Sequence, residues 1–110
     1  MGAETFYEIT KEKDCSTAFS DLREQACYEH GHGGYTGTIA EKDGYTMSNK
    51  PNDIDADTWI DMIHNFDFQD KEQKHYKILK KDYQIYDDKW GDALCIQLDN
   101  GYIFCGWASS

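Results

Sequence analysis

Apolar residues recur at helical spacing in two stretches of this chain and alternate with polar ones in several others. Between Thr17 and His30 the apolar positions are Ala18, Phe19, Leu22 and Ala26, with Cys27 beside them, which predicts a helix with one buried stripe. Asp14-Cys15-Ser16-Thr17 offers N-caps before it, and Gly31 stands where a glycine ends a helix. A second stripe, Trp59, Met62, Ile63 and Phe66, predicts a helix over roughly 55–65, capped by Asp53 or Asp55 after the turn at Pro51-Asn52-Asp53.

Alternation predicts the strands. Phe6 to Thr10 reads as a first strand. Tyr35 to Glu41 and Tyr45 to Ser48 flank Lys42-Asp43-Gly44 and read as a hairpin. A left-handed Gly44 in its three-residue loop sets Ile39 opposite Met47 and Glu41 opposite Tyr45. Asp67 to Lys74 is a charged link. His75 to Leu79 and Tyr83 to Tyr86 read as two strands, or one long bent strand. Leu94 to Trp107 closes around Asn100-Gly101, a pair that favours a type I′ turn and joins Asp99 to Tyr102, Leu98 to Ile103, Ile96 to Cys105 and Leu94 to Trp107. One face then carries Leu94, Ile96, Leu98, Ile103, Cys105 and Trp107. The other carries Cys95, Gln97, Tyr102 and Phe104, and so must meet a second layer, a ligand or a partner. The expected fold is α+β, with two helices packed on a mainly antiparallel sheet of about five or six strands with two β-hairpins, in one globular domain spanning residues 1–110.

Charge narrows the range of partners. The formal net charge is −10, and Arg23 is the single arginine. Arginine is the usual bidentate partner of phosphate and of guanine edges, so direct binding to nucleic acid is not expected. The acidity suits a basic protein surface instead. No apolar run reaches the length of a membrane span, so no membrane association is expected. The N-terminus leads into charge rather than into an apolar signal segment, and the expected location is the cytoplasm. Cys15, Cys27, Cys95 and Cys105 follow no paired zinc spacing and read as thiols, with Cys27 and Cys105 buried and Cys95 the more exposed.

The candidate chemistry lies in residues 29–38, Glu29-His30-Gly31-His32-Gly33-Gly34-Tyr35-Thr36-Gly37-Thr38, where histidines can move protons and glycines let a ligand approach the backbone. His32, His30 and Tyr35 are the candidate catalytic residues. Glu29, Gly33, Gly34, Thr36, Thr38, Arg23, Tyr102 and Phe104 are the candidate ligand contacts. The glycines follow a helix C-terminus, whose dipole favours cations, so they do not form a helix-dipole phosphate cradle. Asp53-x-Asp55-x-Asp57 lacks the glycine and glutamate of a calcium loop, since Thr58 and His64 occupy those places.

Three readings follow. The first is a small polar ligand, nucleotide-like among the options, held by residues 29–38 and sequestered or hydrolysed. The second is an acidic interaction protein that inhibits a basic, nucleic-acid-handling partner, such as a mobile element encodes. The third is a metal-dependent site using His30 and His32. Self-association is a further expectation, because the chain is rich in aromatic residues. The bland alternative makes Gly31 a helix cap and the remaining glycines turn residues.

Overall fold

In the computed structural model the described residues are 2–31 and 36–109. They form strand β1 (Ala3–Thr10), helix α1 (Cys15–His30), a short 3-10 turn (Ile39–Glu41), strand β2 (Tyr45–Met47), helices α2 (Ala56–His64) and α3 (Tyr76–Asp87), and strands β3 (Ala93–Leu98) and β4 (Gly101–Ser109). The strands make one mixed sheet in the order β1-β4-β3-β2, antiparallel except where β2 runs parallel to β3.

The sheet is covered on both faces. Cys95 and Phe104 point to the α1 side, where they pack with Phe6, Ala18, Phe19, Ala26 and Ile39. Leu94, Ile96, Ile103 and Cys105 point the other way, against Trp59 and Ile63 of α2 and Leu79 and Tyr86 of α3. Alternation places these residues on opposite faces, as the sequence pattern implies. The second layer over Phe104 is therefore α1. Cys95 is fully buried beneath it, which corrects the expectation of an exposed thiol.

Both helices read from the stripes are present. Asp14 caps α1 by accepting from the Thr17 amide at 3.2 Å, and Gly31 ends it at φ 86° with its N–H on the Cys27 carbonyl. Asp55 caps α2 through the Thr58 amide at 2.9 Å. The architecture is α+β, with three helices and four strands among the described residues in place of the expected two and five or six.

Three differences have physical causes. Residues 76–87 are helical because Leu79, Asp82, Tyr83 and Tyr86 recur at helical spacing, and the two short aromatic runs hid that period. The first hairpin does not form. The Thr38 hydroxyl accepts from the Ala40 amide and starts the 3-10 turn, Gly44 does not take a positive φ, and β2 pairs with β3 instead. The last hairpin turns one residue earlier than expected, on Asp99-Asn100, so each pairing shifts by two, with Leu98 opposite Gly101 and Ile96 opposite Ile103. A shift of two keeps every side chain on its expected face. Asn100 and Gly101 lack the positive φ of a type I′ turn. Gly101 is required for another reason: a Cβ there would stand 1.8 Å from the Thr10 carbonyl oxygen.

Candidate functional site

His32, Gly33, Gly34 and Tyr35 lie outside the described residues. Of the remaining candidates, Glu29 and His30 occupy the last turn of α1, both about half exposed, with His30 Nε2 3.9 Å from Glu29 Oε2. Gln25, one turn earlier, donates to Glu29 at 3.3 Å. The helix end comes near β1, where Glu8 is half-buried. Burial, and then the charge of Glu29, raise the Glu8 carboxyl above its ordinary range, while His30 pulls it down. Two carboxylates, an imidazole and the negative end of a helix thus share one corner, which favours a cation or a proton over an anion.

Thr36 and Thr38 shape the backbone that leads into the 3-10 turn. The Thr36 hydroxyl and amide donate to Glu41 Oε2 at 2.9 and 3.2 Å, and the two threonine hydroxyls lie 2.8 Å apart. The Gly37 amide donates to the Ser109 carbonyl at 2.8 Å, fixing the segment to the end of β4.

The other candidates lie apart from this corner. Arg23 sits 3.7 Å from the exposed Asp43, beside a shallow depression of about 440 Å³ lined by Phe19, Ser20, Glu24 and Cys27. Tyr102 is at the opposite end of β4 from Ser109 and donates to the Lys13 carbonyl at 3.3 Å. Phe104 is fully buried against Phe19 and Tyr45, with ring centroids 5.5 and 5.7 Å away. Both rings are accounted for by packing and a backbone contact. Among the described residues no three histidine, cysteine or acidic side chains form a metal-binding group. Nor is any helix of the described residues long and apolar enough to cross a membrane.

A second feature, absent from the sequence reading, lies along β1. The sheet order leaves β1 at an edge, with one long side of its backbone unpaired by the sheet. Tyr7 and Ile9 share the face on which α2 and α3 pack, yet remain 47% and 60% exposed because the helices do not cover this strand. The Tyr7 hydroxyl donates to Asp57 Oδ1 of α2 at 3.2 Å. Burial and the Asp57 carboxylate raise the phenol's pKa, which keeps it a donor. Asp53, Asp55, Asp57 and Asp61 are all exposed at and around α2. An apolar pair beside an open strand edge is therefore flanked by carboxylates. Period-2 alternation located β1, but which face of an edge strand remains bare depends on helix placement.

Eighteen of the 21 acidic side chains are exposed, Glu8, Glu41 and Asp82 being the exceptions. Among the described residues Arg23–Asp43 is the ion pair between an arginine or lysine and a carboxylate. Most of the negative charge thus faces solvent and, among the described residues, lies outside close ion pairs. Compared with protein-family models, with curated proteins and with solved structures, the chain shows no match.

Proposed function

We propose that this chain is an acidic interaction module whose β1–α2 side receives a basic protein surface. The observation that carries this reading is the pairing of an uncovered Tyr7–Ile9 strip on an open strand edge with the exposed aspartates of α2. An extended segment can add to such an edge through backbone hydrogen bonds, with apolar side chains resting on Tyr7 and Ile9. Lysines on the same segment would meet Asp57 and Asp61. A central apolar anchor within a polar rim is the usual anatomy of a protein interface. Blocking a basic partner fits this surface, and the excess charge would speed encounter.

The test uses a short peptide alternating lysine with valine, titrated against the full chain. Tyr7→Ala and the double change Asp57→Asn/Asp61→Asn should each weaken binding by roughly tenfold or more, the scale of an interface anchor. Asp87→Asn/Asp92→Asn removes the same charge elsewhere and should weaken it by less than about threefold. Equal losses from both double variants would reduce the interaction to unspecific polyelectrolyte attraction and remove the proposed site.

A second reading is favoured by the Glu8–Glu29–His30 corner. A small polar ligand at residues 29–38 would there be cationic or amine-bearing, since the local field disfavours phosphate. It would use His30 for proton transfer, together with His32 and Tyr35 of the undescribed segment. Spermidine serves as a probe. Glu8→Gln and Glu29→Gln should each weaken its binding, and unchanged affinity in both would end this reading.

A further inference from the structure

Cys15 Sγ and Cys95 Sγ lie 3.4 Å apart although 80 positions separate them in sequence. Cys15 is the first residue of α1 and half-buried, whereas Cys95 is fully buried in β3. Met47 of β2 brings a third sulfur, its Sδ 3.9 Å from Cys15 Sγ. The remaining cysteines stand apart from this group. Cys105 packs on the opposite face of the sheet, and Cys27 is three turns further along α1.

We propose that Cys15 and Cys95 are a redox-responsive dithiol, closed by a hydroperoxide into a disulfide that fastens the start of α1 to β3, one of the two inner strands of the sheet. The two sulfurs are already in contact, and a disulfide needs them about 2.05 Å apart. The shift required is just over an ångström, which the first turn of a helix at the surface can supply more easily than a strand hydrogen-bonded on both sides.

The division of labour follows from exposure. Cys15 is the sulfur that solvent reaches. A peroxide transfers one oxygen to it, giving the Cys15 sulfenic acid and one water or alcohol. Cys95 then attacks the Cys15 sulfur. The S–S bond forms, the S–O bond breaks, and the departing hydroxide takes the Cys95 proton to leave as water. Two thiols lose two electrons, and the peroxide O–O bond gains them. Burial pushes the Cys95 thiol well up, with Cys15 adding to the effect, so Cys95 is held as the thiol and gives up its proton to the departing hydroxide as it attacks. Its enclosure also keeps a free oxidant from reaching it first. Tying residues so far apart in the chain restricts the unfolded state, so oxidation should be visible as added stability.

The experiment treats the reduced full chain with hydrogen peroxide, alkylates the remaining thiols and maps the peptides by mass spectrometry. The expected product joins the Cys15 and Cys95 peptides and is two hydrogens lighter, with Cys27 and Cys105 alkylated. Its melting temperature should rise by about 10 °C, reversed by dithiothreitol. Cys15→Ser should abolish both the product and the rise, and because Cys15 is partly exposed this variant should fold. Cys27→Ser should leave both unchanged. Accumulation of sulfinic acid at Cys15 while Cys95 stays alkylatable on unfolding would overturn the proposal. So would a disulfide that uses Cys27, or a Met47 sulfoxide as the sole product.

Discussion

The indole N–H of Trp59 donates to Asp82 Oδ2 at 2.8 Å, and both side chains are fully buried. The same carboxylate accepts from the Ser48 hydroxyl at 2.5 Å, from the Asn49 amide at 3.2 Å and from the Asn49 side chain at 3.3 Å. Asp82 of α3 thus holds α2 and the segment that follows β2. A buried carboxylate is tolerated when hydrogen bonds replace its hydration, and here neutral donors do so. The Lys50 ammonium points elsewhere, to the carbonyls of Pro51 and Ile54.

Removing the acceptor should therefore cost more than removing one donor. Asp82→Ala leaves the Ser48, Asn49 and Trp59 donors without their partner and should destabilise by about 3–4 kcal/mol. Trp59→Phe loses one bond and some volume and should cost about 2 kcal/mol. Urea unfolding followed by circular dichroism measures both. An Asp82→Ala cost below that of Trp59→Phe would show that water satisfies the abandoned donors.

Gly101 gives a prediction about backbone packing. Its ideal Cβ would fall 1.8 Å from the Thr10 carbonyl oxygen and 3.0 Å from the Lys11 Cα. Backbone atoms at the end of β1 cannot move aside without disturbing the β1–β4 register that pairs Thr10 with Tyr102. Gly101→Ala should cost about 2–4 kcal/mol, whereas Asn100→Ala at the exposed turn should stay within about 0.5 kcal/mol. Equal melting temperatures for the two variants would contradict the clash.

These examples mark what sequence could and could not reveal. The stripes of α1 and α2 were legible because one apolar face and one capping aspartate agree with each other, Asp14 with Ala18–Phe19 and Asp55 with Trp59–Ile63. Asn100-Gly101 pointed to the right hairpin for the wrong reason, since the glycine serves Thr10 rather than a positive φ. α3 was missed because its buried positions include Asp82, a residue that hydrophobic patterning counts as polar. Of the candidate site, Glu29 and His30 could be named from their neighbours in sequence. Glu8 could not, because only the path of α1 across the sheet brings it close. The Cys15–Cys95 contact likewise depends on tertiary pairing over 80 positions.

Alkaline pH should unfold this protein through two groups of the α2–α3 core. Burial raises the Cys105 thiol to about 12 and the Tyr86 phenol to about 12. Both are acids whose folded pKa exceeds the unfolded one, so their stabilising effect is intact below the unfolded values. It is lost as pH rises from near 9 for Cys105, and from 10 for Tyr86, toward 12. For Tyr86 the loss is on the order of 2–3 kcal/mol. Tyr86→Phe should flatten the decline of stability above pH 10, at the expense of the 2.6 Å hydrogen bond to the exposed His64. Denaturant midpoints measured from pH 8 to 11 decide it, and parallel curves for wild type and variant would mean Tyr86 does not contribute.

The Glu8 carboxyl shifts in the same direction, at acid rather than alkaline pH, and links stability to the candidate corner. Its pKa is raised by burial first and by Glu29 second, against the opposing pull of His30. The folded state therefore holds this proton more tightly than the unfolded chain, and the ionised form at neutral pH is a liability that acidification relieves. Glu8→Gln removes the charge and should stabilise the protein at pH 7 by about 0.5 kcal/mol, the scale of a partly exposed change. The gain should vanish as pH falls through the carboxylate range, where Glu8 is already neutral. His30→Ala should act the other way at pH 6, because withdrawing the imidazole, which opposes the rise at Glu8, leaves Glu8 and Glu29 facing each other unrelieved. Paired melting curves at pH 4, 6 and 7 measure all three effects. A Glu8→Gln gain that is the same at every pH would place its origin in packing, and the corner would then lose the electrostatic coupling on which cation binding there depends.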